Sequence, residues 1–481
     1  MKIINKSRLL LMFAAVMGVV LLCNIGGGTG SDAKPVIDPL FIGNITQLNP
    51  VHVAQVITPT TTDEIVDSIR STTGAISIGG GRYSQGGQVV FPESLHIDMR
   101  QFNRVMAFDK EKKQITVQAG IRWRDIQDYI DPYNLSLKIM QTYANFTVGG
   151  SLSVNAHGRY VGEGALVKSV ESIKLVLANG EIKEASRSLN PELFYAAIGG
   201  YGGIGVIVEA QLQLVDNHKV TRQNQVMPVS EYKQFFFEHI RSDKAAVFSN
   251  ADIYPPKYEN LRSITWYRSH DSLTEELRLI PRDTNYYWSA KVIDWIADYE
   301  AGIWLRENVI DPVIYSANPV VWRNYEASYD VKELEPGSRA ITTYGLREYF
   351  VPVERFDEFV AKMRETFNEH NPTIINVSVR HAYQDAETML AWAKTEVFAF
   401  VIYYRQETTE SAQQEVKEWT RKMNATAIDL GGAYYLPYQV HETREQFLAA
   451  YPRAPEFFAI KRSIDPDNRF RNQLWSVIGA E

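Results

Sequence analysis

A chain of 481 residues with 57 acidic and 50 basic side chains, net charge -7, has no clustered Lys and Arg to neutralise phosphates, which excludes nucleic acid as a partner. Its 45% hydrophobic and 12% aromatic content is that of folded lobes, with length for about three domain-sized units. The single cysteine, Cys23, excludes a disulfide framework, a thiolate nucleophile and a Cys-based metal site in the body, and the nine histidines, scattered without HxxxH or HExxH spacing, argue against a metal enzyme.

In chain order, Lys2, Lys6 and Arg8 precede an apolar run over residues 9–25, followed by GGGTGSDAKP. A basic flank, an apolar core and a loose polar exit predict an export signal or a single membrane anchor, with the body extracytoplasmic. The run is at the lower limit for spanning a bilayer, so its length does not separate a cleaved from a retained segment. After a Pro- and Thr-rich segment, DEIVDSIR (63–70) has helical spacing, and TGAISI reads as a strand feeding the glycine run SIGGGRYSQGGQ (77–88). SLHIDM follows, then VMAFDKEKKQITVQAG, whose alternating positions around a polar turn predict a hairpin, and IRWRDIQDYI (121–130), which returns to helical spacing. A second small-residue loop, QTYANFTVGGSLSVNAHGRY (141–160), leads into VESIKLVLANGEIKEA, where Asn179-Gly180 marks a tight hairpin. Residues 192–215 pass from a helical pattern through a third glycine cluster, IGGYGGIG, into a strand.

Composition changes near Asp216, after which the chain is heavy in Tyr and Trp to about residue 340. TTYGLREYFVP (342–352) and TEVFAFVIYYR (395–405) predict strands; residues 354–370 and 410–423 predict amphipathic helices. From Gly431 the tail reads GGAYYLPYQV, a helix around REQFLAAYP, and FFAIKRSIDPDNRF.

Glycines at a strand end let successive N–H groups point into one concavity, a nest for anions. The first loop fits neither GK[ST] nor a GxGxxG that opens a helix, and alone it is as readily a turn. Three such loops in one lobe point to a dinucleotide-sized ligand.

The ordered series GGGRYSQGGQ, TVGGSLSVNAHGRY, IGGYGGIGVIVEA and AYYLPYQ with DPDNRFRNQ resembles the vanillyl-alcohol oxidase flavoproteins, whose cofactor sits in a PCMH-type FAD-binding domain. The tail and REYFVP are most similar to the sugar and aldonolactone oxidases, cytokinin dehydrogenases and decaprenylphosphoryl-ribose oxidases. The resemblance implies an α+β fold: a PCMH-type FAD-binding domain over 36–216, an α+β substrate (cap) domain over 217–430, and a return to the FAD lobe over 431–481, behind a signal or anchor with linker at 1–35. It also implies FAD held by Gly79, Gly80, Gly81, Arg82, Tyr83 and Ser84 at the pyrophosphate, and by Thr147, Val148, Gly149 and Gly150 along the flavin. Val154, Asn155 and His157 would lie along the ribityl and ring edge, with Val206 packed against the cofactor and Tyr435 closing over the ring.

Two positions depart from that family. Tyr83 stands where many relatives carry a histidine bonded to the flavin, and a phenol lacks the imidazole nitrogen for that bond, so FAD is expected without covalent attachment. Such a loose cofactor sits awkwardly with export of an unfolded chain, and NKSRLLL has no twin arginine. Tyr438 stands where decaprenylphosphoryl-ribose oxidases have an active-site lysine, and a phenol with a reference pKa of about 10 is a poor base. The candidate substrate-facing residues are Glu348, Arg380, His381, Tyr438 and Gln439. The implied activity is oxidation of an alcohol carbon of a sugar, polyol or lactone, with oxygen or a membrane quinone as acceptor. The alternatives are an NAD(P)H-dependent reductase of the same fold and a flavin-binding protein of the membrane surface without catalysis. Sequons at Asn44, Asn134, Asn145, Asn376 and Asn424 are read as chance matches.

Overall fold

A computed structural model describes residues 38–286, 300–335 and 338–479. The N-terminal apolar run and part of the Tyr/Trp-rich stretch lie outside the described residues. Among the described residues, no helix is long and apolar enough to cross a membrane.

The first sheet is small and parallel, with Leu95–Asp98 between Gln55–Ile57 and Ile76–Gly79. Its crossover is the helix Thr62–Ser71, which buries Ile65, Val66 and Ile69 at spacings of one to four residues. Thr61 caps it by accepting from the Glu64 N–H, and Asp63 and Glu64 face the positive end of the helix dipole. The strand Ile76–Gly79 ends in the first glycine loop.

The second sheet is antiparallel, in the order Ile182–Ser186, Val170–Val176, Val206–Asp216, Gln114–Gln118, Val105–Asp109; Leu135–Leu137 pairs with the far end of Val206–Asp216. Both predicted hairpins are present. At the tighter one Gly180 has φ +76°, a left-handed conformation that disfavours a Cβ, and the Asn179 side chain accepts from the Glu181 N–H.

The third sheet has eight antiparallel strands, in the order Val320–Trp322, Lys219–Pro228, Asn260–Arg268, Ala246–Ile253, Thr373–Ala382, Val397–Glu407, Thr342–Pro352, Ala433–Tyr434. The helices Phe356–His370 and Glu410–Asp429 cover one face, where Phe356 stacks on Phe400 and Phe359 packs on Tyr349. Because strand side chains alternate, the residues between these positions point the other way, toward the glycine loops. Tyr434 lies beyond the expected boundary at residue 430, so this sheet takes its last strand from the tail.

The tail then returns to the first sheet. Phe470 pairs with Ile76, the Ile76 N–H donates to the Arg469 carbonyl at 2.7 Å, and Lys461 Nζ donates to the Gly203 carbonyl at 3.0 Å. Arg469 donates to the carbonyls of Ile69, Thr72 and Ala178, tying the end of the first helix to the second sheet.

Candidate active site

One cleft runs between the glycine loops and the open face of the eight-stranded sheet. Its walls include Gly80, Gly81, Arg82, Tyr83 and Ser84 from the first loop, Thr147, Gly149, Gly150, Val154 and His157 from the second, Tyr201, Gly202 and Gly205 from the third, and Tyr435 and Tyr438 from the tail. Leu346, Glu348, Arg380 and Val401 close the opposite side.

The two leading loops meet so closely that side chains would not fit. A Cβ on Gly80 would stand 2.3 Å from Thr147 Oγ1, and one on Gly81 would stand 2.8 Å from the Tyr83 ring. Thr147 Oγ1 instead accepts from the Gly81 N–H at 3.2 Å. Arg82 adopts φ +61°, a strained conformation for a residue with a Cβ. Its guanidinium donates to Asp98 at 2.9 Å and to His96 Nε2 at 3.3 Å. Burial and the neighbouring Arg82 charge hold His96 down to about 4, so the ring is neutral and Nε2 is free to accept. Arg82 Nε and Ser84 Oγ are buried without a partner in this loop. A cradle of bare backbone with orphaned donors, walled by Ile78, Met99, Ala119 and Ile207, fits a long ligand with a charged middle and a flat apolar end, which FAD is.

The sheet face supplies the polar end of the cleft. In register, Glu348 and Ser378 flank Val401, while Phe350 and Arg380 flank Ala399. Glu348 and Arg380 therefore share one face, two strands apart, with small side chains between them. Arg380 Nε is buried without a partner. Glu348 Oε1 lies 2.5 Å from His157 Nε2, and Oε2 accepts from the Tyr438 hydroxyl at 3.1 Å. Burial and the Glu348 charge push the Tyr438 phenol well above its ordinary value, which makes it a donor rather than a base. Tyr435 is held by its N–H on the Glu348 carbonyl and its hydroxyl on the Val154 carbonyl, both at 2.9 Å.

Six expected site residues lie outside the cleft walls, for definable reasons. Gly79 lacks a side chain because His96 packs there; a Cβ would stand 2.7 Å from its Nε2. Val148 is fully buried in the main core. Asn155 donates to Asp385 and Thr388 and accepts from the Val167 N–H, so its amide is spent inside the fold. Val206 faces the core beneath the first sheet, and alternation places Ile207 at the cleft instead. His381, paired with Phe398 in register, points to the covered face, where Nε2 meets Glu396 at 2.6 Å beside Arg241. Gln439 lies behind the sheet, its carbonyl accepting from Arg347 at 2.6 Å. Gln141, Thr142, Tyr143 and Phe146 line the cleft without having been singled out, although they belong to the second loop.

A cleft lined by three glycine loops, with a carboxylate and an arginine on its opposite wall, fits a flavin-dependent oxidoreductase. Comparison with known proteins agrees. Residues 53–186 match the FAD binding domain model, and residues 339–477 match the D-arabinono-1,4-lactone oxidase model. L-gulonolactone oxidase of Bos taurus is 26% identical over 432 residues, covering 86% of this chain and 92% of that protein. The Mus musculus enzyme of the same name is 24% identical over 422 residues, covering 85% and 90%. Mitochondrial L-galactono-1,4-lactone dehydrogenase of Arabidopsis thaliana is 38% identical over 139 residues, covering 29% of this chain and 23% of that one. The chain thus carries a FAD-binding domain and resembles the aldonolactone oxidase branch of the PCMH-type FAD-binding oxidoreductases.

Proposed function

We propose that this enzyme oxidises a CH–OH carbon of a sugar-derived lactone or polyol, with FAD held non-covalently and reoxidised by oxygen or a membrane carrier. The observation that carries this reading is the pair Glu348, beside Val401, and Arg380, beside Ala399, on the sheet face opposite the glycine loops. When bound, FAD accepts the hydride. The chain's own part is to fix the substrate, exclude water and take the hydroxyl proton. Arg380, with its unpaired Nε, would hold a ring carbonyl or hydroxyl oxygen. Glu348 would receive the proton, and Tyr435 and Tyr438 would bound the ring. The similarity to L-gulonolactone oxidase and L-galactono-1,4-lactone dehydrogenase favours an aldonolactone as the substrate class.

Non-covalent binding is supported by the histidines as well as by Tyr83. His157 lines the cleft, and both of its ring nitrogens already have partners, Gly158 O and Glu348. The division into a FAD-binding portion (36–216), a cap (217–430) and a returning tail (431–481) is part of this proposal, as is an extracytoplasmic body behind the N-terminal apolar run.

The test is anaerobic mixing of the yellow holoenzyme with L-gulono-1,4-lactone, L-galactono-1,4-lactone or polyols. Bleaching by one of these and not by NADPH is expected. Bleaching by NADPH alone would move the protein to the reductive reading, and no flavin absorbance after supplying FAD would leave a non-catalytic one.

A further inference from the structure

His157 and Glu348 come from different lobes and meet inside the cleft with side chains 4% and 3% exposed. The carbonyl of Gly158, 3.0 Å from His157 Nδ1, can only accept, so Nδ1 carries a hydrogen. That leaves Nε2 as the variable nitrogen, and it faces Glu348 Oε1 at 2.5 Å. An imidazole nitrogen and a carboxyl oxygen at that separation hold one proton between them; without it, two lone pairs oppose each other. The ring cannot swing away, because Trp392, Phe350 and Tyr435 pack around it with centroids at 4.9, 5.6 and 6.2 Å. Trp392 is itself anchored by donating to the Asn155 carbonyl at 2.9 Å.

We propose that the base of the reaction is the His157–Glu348 pair acting as a unit, with the substrate's hydroxyl proton coming to lie between Glu348 Oε1 and His157 Nε2. This rests on the CH–OH oxidation proposed above. In the step, the substrate O–H bond breaks and its electrons form the C=O bond, while the C–H electron pair leaves as hydride to FAD. The proton passes to the pair, which goes from one net negative charge to neutral. The competent form is therefore the one lacking the shared proton. A pair already holding it would have to become a buried cation beside Arg380 to accept another.

Activity should accordingly rise with pH along one ascending limb that belongs to the pair. The charged and titratable groups around it are Arg380 on the same sheet face, Tyr435, Tyr438 and Tyr451 near Glu348, and Tyr201 beyond Tyr438. Burial raises all four phenols well above their ordinary value, so they stay neutral through that limb.

The experiment compares holoenzyme with His157→Gln and Tyr438→Phe. Gln keeps a donor toward Glu348 but takes up no proton. The rate of anaerobic flavin reduction should fall at least about tenfold in His157→Gln, with its ascending limb about one pH unit or more to the acid side. Tyr438→Phe removes a donor to Oε2 and should move the limb toward higher pH. Unmoved limbs in both variants, with wild-type enzyme reduced normally, would overturn the shared base while leaving the oxidase reading intact. If no lactone or polyol reduces wild-type flavin, that reading fails and a substrate-free signature decides the pair. A far-downfield proton NMR resonance is expected in wild-type holoenzyme and should vanish in both His157→Gln and Glu348→Gln. Its absence from wild type at every pH would overturn the pairing.

Discussion

Tyr83 illustrates how much one side chain decides. It lines the cleft at the end of the first glycine loop, edge-on to Phe146 with centroids at 4.6 Å, and burial pushes its phenol above the ordinary value. In the non-covalent reading proposed above, this neutral, buried phenol walls the flavin without bonding to it. Acid precipitation of purified holoenzyme should leave the yellow colour in the supernatant, and colour retained in the pellet would contradict the account. Tyr83 was legible in the sequence because a substitution at a motif position is visible there. The partnership of His157 with Glu348 was not, since 191 residues separate them and only the fold brings their side chains together.

At the scale of elements, period-two alternation explains both what was read and what was missed. Glu348 opposite Tyr349 followed from the strand pattern of LREYFVP, and the structure has them on opposite faces. Of the adjacent candidates Arg380 and His381 only Arg380 lies at the cleft, and Val206 was one residue out of phase, with Ile207 there instead. A strand's faces cannot be assigned to core or site when both are buried, and here both are. Behind the eight-stranded sheet, Arg347 Nε, Gln439 Nε2 and the hydroxyls of Tyr349, Tyr404 and Tyr434 are buried without protein partners, the environment that ordered water satisfies. Glu442 shares Arg347's field, and burial raises its carboxyl from 4.5 to about 7. The folded state then binds more protons than the unfolded chain between those values, so this group's contribution to stability falls as pH rises through that window. Glu442→Gln, neutral throughout, should melt about 5 °C above wild type once pH exceeds 7, with the difference shrinking as pH falls from 7 to 4.5 and gone below that. Thermal unfolding followed across that range checks it.

For the whole molecule, the tail is the strap that completes the site. It contributes an edge strand, then Tyr435 and Tyr438 in the cleft, then Phe470 and Arg469 against the first sheet. The first glycine loop is tied to it directly: the Gln85 N–H donates to the Pro437 carbonyl at 2.7 Å, and Gln88 Nε2 donates to the Leu436 and Tyr438 carbonyls at 2.6 and 2.8 Å. Arg469→Ala should therefore weaken FAD binding, by about tenfold for the loss of one buried set of charged hydrogen bonds, although Arg469 touches no cleft residue. Fluorescence titration of apoprotein with FAD measures this. The three glycine loops and the tail were readable as motifs in order, whereas the spacing between the lobes depends on packing that no local pattern encodes.

The proposed reaction depends on Glu348 taking a proton from a sugar-derived substrate beside bound flavin. The most direct test is anaerobic stopped-flow reduction of Glu348→Gln holoenzyme by the lactone or polyol that bleaches wild type. The prediction is a normal flavin spectrum and a bimolecular reduction rate lowered at least about a hundredfold. Reduction at the wild-type rate would contradict it.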